Sequence, residues 1–288
     1  MIRWFLGVSL LVLCPLLSAE LAFKGEKVVE IFYEQDFEAN LAKAKSGDMK
    51  AQYLVGAAYL YGLEDEDVEV DEKMGRFWLQ KSADQGAAEA YSELARIYRY
   101  GIGVERDASK WEKYLIEAAE RGMLSRQTDL MKLYRDGSPE MGVEKNEQKY
   151  IYWLKKEAEA GAPISIYNLA WSYREGRGIE QDIDKAFEWI MKGVQKDDGS
   201  AQAYAAEFFE EGLGTEKDLV KAYMLYDLST GIGREAKSEL AKKMNDDQIK
   251  EAIARSWQWQ MERGVVRPSS DGYRYRYQLK DVVVQNAD

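Results

Sequence analysis

Residues 90–104 read AYSELARIYRYGIGV. Ala90, Leu94, Ala95 and Tyr98 fall at i, i+4, i+5 and i+8, which makes one apolar stripe on a helix. Gly101-Ile102-Gly103-Val104 then stops that helix, because glycine accepts the left-handed backbone geometry that helix ends prefer. Just downstream, Asp107 or Ser109 can cap a second helix carrying Trp111, Tyr114, Leu115, Ala118 and Ala119, and Gly122 ends it. Residues 86–121 therefore read as one antiparallel helix pair, with small residues where the helices cross.

Outward from this unit the signature repeats. Tyr59, Tyr98, Tyr134, Tyr173 and Phe209 recur at intervals of 39, 36, 39 and 36 residues, each followed three residues later by Gly62, Gly101, Gly137, Gly176 or Gly212. A period in this range marks a stacked repeat protein, since no single unit can bury its apolar face alone. A small residue near the start of the first helix appears as Ala51, Ala90, Ser165 and Ala201, while the third unit has Arg126 instead. The second helix carries Trp78, Tyr114, Trp153 and Trp189 at one position, with Tyr226 displaced by about one residue. The three extra residues of the first and third units fall in the inter-helix loop, where an insertion leaves helix register intact. Aromatic positions locked to the period read as core, not as a ligand cage.

These residues resemble the Sel-one-like repeat (SLR) family, a longer-unit relative of tetratricopeptide repeats. The resemblance rests on Ala90, Leu94-Ala95, Tyr98, Gly101-Ile102-Gly103-Val104, Tyr114 and Ala118-Ala119. It returns in Leu169-Ala170, Tyr173, Gly176-Arg177-Gly178-Ile179, Asp182, Lys185-Ala186 and Trp189. It implies an all-α, right-handed α-solenoid of about five helix-pair repeats over residues 47–234, serving as a scaffold or adaptor without catalytic residues. Residues 20–46 read as an N-terminal capping segment, with a lone helix from Phe37 to Ser46, and 235–263 as C-terminal capping helices joined at Asn245-Asp246. Residues 264–288 read as an irregular or extended tail, because Tyr273 to Val284 has strand-like composition.

At the other end, Met1-Ile2-Arg3 precedes an apolar run from Trp4 to Leu17 and then Ser18-Ala19. That is the layout of a signal peptide over residues 1–19, and a helix of about 21 Å falls short of a bilayer core of about 30 Å. The expected location is periplasmic or secreted, with no transmembrane segment in the mature chain. Cys14 lies within this leader and has Leu13, not a small residue, before it, which argues against lipidation. Cleavage after Ala19 leaves no cysteine, and the chain has no histidine. Cysteine nucleophiles, histidine general bases and the usual zinc ligand sets are thereby excluded. The net charge of −11, or −12 without Arg3, repels phosphate backbones, so no nucleic-acid partner is expected.

Candidate chemistry reduces to surfaces. The Gly176-Arg177-Gly178 type of turn lacks the preceding strand and third glycine of a dinucleotide loop, so no cofactor is expected. The acidic run Glu64 to Glu72 lacks the glycine of a calcium loop and reads as solvated, with no metal. Arg99, Arg135 and Arg174 share one repeat position near the end of the first helix. A cation there offsets the helix dipole by about 0.3–1 kcal/mol, and the same row can grip partner carboxylates. Arg96 and Trp171 extend it as partner-binding candidates, being residue types favoured in binding hot spots. Tyr273 to Tyr277 alternates aromatic and basic residues and suits strand addition to a partner.

The expected function is that of an exported, non-enzymatic scaffold that binds a protein partner in the cell envelope through its concave helix surface. The alternative is a module that binds cell-wall peptidoglycan or carbohydrate. Some cysteine-rich SLR proteins bind or cleave β-lactams with a cysteine pair in each unit, which this mature chain lacks. A glycosidase needs paired carboxylates in a cleft, and no such pair stands out.

Overall fold

The computed structural model of the chain describes residues 22–23, 26–27, 36–63 and 66–276. The leader and residues 277–288 lie outside them. A short antiparallel ladder joins β1 (Ala22–Phe23) to β2 (Glu26–Lys27), and the other regular elements among the described residues are helices. A lone helix, α1 (Phe37–Lys45), precedes the first repeat, α2 (Met49–Tyr61) and α3 (Glu72–Asp84). The second repeat is α4 (Ala88–Tyr100) with α5 (Ala108–Glu120), and the third is α6 (Leu124–Asp136) with α7 (Glu147–Glu159). The fourth is α8 (Pro163–Glu175) with α9 (Ile183–Gln195), and the fifth is α10 (Gly199–Glu211) with α11 (Leu219–Leu228). Two closing helices follow, α12 (Arg234–Ala241) and α13 (Asp246–Arg263). The chain forms two compact units, Met1–Asn146 and Glu147–Asp288, so the third repeat contributes one helix to each.

The recurring aromatic has a backbone role as well as a packing one. Its carbonyl accepts the N–H of the residue just before the second helix, in all five repeats. The pairs are Tyr59 with Asp71 (2.7 Å), Tyr98 with Asp107 (3.0 Å), Tyr134 with Asn146 (2.8 Å), Tyr173 with Asp182 (2.9 Å) and Phe209 with Asp218 (2.9 Å). Four of those residues are aspartates whose carboxylates accept the N–H three residues on, at 2.9 Å for each of Asp71, Asp107, Asp182 and Asp218. An acceptor at that position satisfies one orphan donor of the first helical turn. The linker thus ties the end of one helix to the start of the next.

Glycine makes two kinds of stop. Gly101, Gly176 and Gly212 are left-handed, with φ of 72°, 68° and 75°. Gly62 and Gly137 have φ of 77° but extended ψ, of 160° and 178°, because the longer loops fold back through Leu63–Val68 and Ser138–Val143 bridges. Close approach needs a second kind of glycine. A Cβ on Gly56 would sit 2.8 Å from Leu79 Cγ, and one on Gly193 would sit 2.5 Å from Ala201 Cβ. The core of the first unit gathers Tyr53, Leu54, Leu79, Leu94 and Ile97, and that of the second contains Leu154, Ile166, Leu169, Ile190 and Phe208. Trp78, Trp111 and Trp153 are buried, and so are Tyr134, Tyr173 and Phe209 of the period-locked aromatics.

One expectation fails after Gly264. Residues 271–276 are helical, not extended. Asp227, wholly buried on α11, holds them in place. Its carboxylate accepts the N–H groups of Asp271 (2.8 Å) and Gly272 (3.0 Å), the Ser256 hydroxyl (2.6 Å) and Lys237 Nζ (2.8 Å). The first two donors are those that a helix start leaves unpaired, so Asp227 acts as a cap supplied from a distant helix. Ser270 Oγ accepts the N–H of Tyr273 as well (2.9 Å). The strand-like alternation of tyrosine and arginine is overridden by this anchor. Residues 277–284, the rest of the stretch expected to be extended, lie outside the described residues.

Candidate functional site

In the first unit the candidate arginines occupy three different settings. Arg96 lies over the Tyr61 ring (4.8 Å), and its Nε donates to Glu93 (3.1 Å), which also accepts from the Tyr61 hydroxyl (2.6 Å). Burial pushes the Glu93 carboxyl up to about 7, against the pull of Arg126. Arg99 stacks over Trp111 (5.0 Å) and Tyr100 (5.5 Å), covering the end of its own helix pair. Arg135 forms a fork with its neighbour Asp136, at 2.9 and 2.8 Å, and that hydrogen bond holds the Asp136 carboxyl below the usual range. Arg99 and Arg135 share a repeat position but differ in setting, the first over aromatic rings and the second beside an adjacent aspartate.

The second unit carries a groove beside its candidate arginine. Arg174 pairs with Glu207 (3.0 Å), Glu211 (3.6 Å) and Glu175 (3.8 Å), and its guanidinium lies over the Tyr204 and Phe208 rings, 5.5 Å from each. Beside it runs a groove of about 430 Å³ whose walls include Ile164, Tyr167, Tyr204 and Ile232, with Glu207 and Asp198 at its edge. Ile164 is 77% exposed and Ile232 61% exposed. The Tyr167 and Tyr204 rings meet at 5.0 Å with a 48° tilt. Burial pushes the Tyr204 phenol up to about 12, so it stays neutral.

Ile164, Tyr167, Trp171 and Arg174 are spaced by three, four and three residues, which puts all four on one face of α8. Trp171 and Arg174, picked from sequence, therefore continue the line of groove residues. Trp171 is half-buried and carries Arg177 over its ring at 5.5 Å. Ile164, Tyr167, Tyr204 and Ile232 escaped the sequence reading. The available signal was an isoleucine in the first turn of a helix whose apolar stripe runs through Ile166, Leu169 and Ala170.

Among the described residues, no group of three or more acidic, cysteine or histidine side chains could hold a metal ion. No described helix is long and apolar enough to cross a membrane. The arrangement offers ring faces, aliphatic side chains and guanidiniums with local partners, which suits recognition.

Comparison with known proteins gives the same picture. The Sel1 repeat model matches residues 50–86, 88–123, 132–161, 163–197 and 199–230. No curated protein matches the chain. Among solved structures, the chain is similar to c5321, a protective antigen of uropathogenic Escherichia coli strains displaying an SLR fold. That match has 24% identity and a TM-score of 0.47, and covers 88% of this chain and 54% of the other. It is also similar to a Sel1 repeat protein from Oxalobacter formigenes, at 22% identity and a TM-score of 0.43, over 74% of this chain and 60% of that one. The chain thus spans between about half and three-fifths of the length of these two.

Proposed function

We propose that this chain, which belongs to the Sel1 repeat family, is an exported, non-enzymatic scaffold that binds a protein partner in the cell envelope through its first helices. Sel1 repeat proteins act generally as protein–protein interaction scaffolds. The observation that carries the finer reading is the groove along α8 and α10, where isoleucines stand exposed beside a tyrosine pair and a fixed arginine. Exposed apolar side chains grouped with aromatic and arginine neighbours have the composition of a binding hot spot. The leader-like residues 1–19 support export, and the absence of cysteine from the mature chain suits a scaffold that needs no disulfide.

Covering Ile164 and Ile232 would contribute about 1–2 kcal/mol each, because each is already partly buried. Together they account for roughly 30-fold or more in affinity. The test is crosslinking and affinity capture from envelope fractions, with wild type beside an Ile164→Glu/Ile232→Glu variant of unchanged helicity and melting. Capture of one protein by wild type and its loss with the variant is the expected result. Capture of nothing, together with sedimentation on purified peptidoglycan, would replace the protein partner with the cell wall.

A further inference from the structure

The groove of the second unit carries the opposite charge to its arginine. Its lining, among the described residues, includes the acids Asp198 and Glu207 and no lysine or arginine. Arg174, further along the same face of α8, is largely covered and meets the carboxylates of Glu175, Glu207 and Glu211. One guanidinium against three carboxylates leaves negative charge in excess. These glutamates are about half exposed, and a carboxylate that takes one donor keeps lone pairs for more. Neighbouring cations are engaged elsewhere: Arg177 lies against Glu147 (3.4 Å) and Lys243 against Glu210 (2.8 Å). The helix dipoles add the same sign, because Glu175 and Glu211 are the last residues of α8 and α10. The apolar part lies at the other end, with Ile164 in the first turn of α8 and Ile232 between α11 and α12. Ile164 and Arg174 are ten residues apart, or about 15 Å of helix rise. An extended peptide covers that span in about four residues.

We propose that this groove takes an extended, basic segment of a partner protein, with aliphatic side chains about four residues from an arginine or lysine. The aliphatic side chains cover the exposed Ile164 and Ile232 beside the Tyr167–Tyr204 pair. The cation lies at Glu207 and Glu211, which are four residues apart and so share one face of α10. Arg174 then acts through these two carboxylates, holding them at 3.0 and 3.6 Å, and does not itself grip a partner acid. An acidic segment on the same path would meet the glutamates as like charges, which disfavours it.

This inference rests on the scaffold reading, and its test separates the two. The probe is the acetylated, amidated peptide Gly-Leu-Ser-Leu-Ser-Arg-Gly-Arg-Gly, beside one counterpart with glutamate for both arginines and another with serine for both leucines. Binding is read at the methyl resonances of Ile164 and Ile232 in the full chain, assigned with Ile164→Val and Ile232→Val. The arginine peptide is expected to shift both methyls and to bind at least tenfold more tightly than either counterpart at low salt. Its advantage over the glutamate peptide should narrow as salt is raised. Glu207→Gln/Glu211→Gln, two half-exposed positions that keep an acceptor for Arg174, should remove that preference, while Glu251→Gln on α13 leaves it unchanged. Equal affinity for the arginine and glutamate peptides, a preference for the glutamate peptide, or no methyl shift with any peptide overturns the proposal. So does a preference that survives Glu207→Gln/Glu211→Gln. An envelope protein captured through Ile164 and Ile232, with the glutamate peptide bound better, keeps the scaffold and removes only the basic occupant. Methyl shifts from the arginine peptide with no protein captured support the basic specificity of the groove and remove the envelope partner.

Discussion

Replacing Asp227 with alanine should detach the C-terminal segment from the last repeat. The Asp227 side chain has no exposed surface and takes four donors at 2.6–3.0 Å: two backbone N–H groups, one hydroxyl and one ammonium. Breaking a buried ion pair by removing one partner costs about 3–5 kcal/mol. Two features place the loss at the lower end. Lys237 keeps a second carboxylate, Asp271, at 2.7 Å, and it retains some access to water. The N–H groups of Asp271 and Gly272 can regain water if residues 271–276 lift away, which would expose Gly272 and the Ser256 contact beneath it. The expected cost is about 3 kcal/mol, felt first as local opening and only then as global unfolding. Hydrogen exchange read by mass spectrometry, with urea midpoints alongside, measures both. Protection should fall in residues 256–276 and stay unchanged in the first unit. A loss below about 1 kcal/mol with unaltered exchange at 256–276 would refute the anchoring role.

The Glu93 carboxyl titrates at about 7 in the fold against an ordinary 4.5, so its stabilising contribution is fully present below pH 4.5 and is lost as pH rises through 7. The difference is on the order of 3 kcal/mol, and Glu93→Gln should flatten the pH dependence of the urea midpoint; superimposable profiles would contradict this. Gly193→Ala should destabilise by about 1–2 kcal/mol, since overpacking against Ala201 exceeds the gain in helix propensity, and a raised melting temperature would show that the contact relaxes freely. Asn245→Ala removes a reciprocal capping box at the start of α13 and should cost about 1 kcal/mol, with faster exchange at Asp246–Gln248.

The helix pairs were legible because the repeats state them several times over, in apolar spacing, a helix-stopping glycine and, in four of the five, a capping aspartate. Asp107 was a cap candidate by sequence, and it caps. What the sequence hides is the partner of each polar group. Asp227 sits in LVKAYMLYDL, an apolar run in which a lone acid is the only hint that something distant must meet it. Residues 273–276 alternate like a strand, yet the N–H groups just before them are captured by that acid, so a local pattern yields to a long-range bond. The arginines show the same limit. Arg99, Arg135 and Arg174 share a position, but a tryptophan, an adjacent aspartate and a glutamate of the next first helix respectively decide what each one does. Arg126 was visible as an exception to the repeat, whereas the carboxyl it faces was not. The groove was missed because exposure, unlike periodicity, depends on what the neighbouring helix leaves uncovered.

The central claim is that recognition occurs at the groove of the second unit, along α8 and α10. A photo-crosslinking residue placed at Ile164, and in a separate protein at Tyr152 on a second helix, tests it directly, since both side chains are exposed. The account predicts that the envelope partner is trapped from position 164 and not from 152. Trapping of the same partner from 152 alone would contradict it.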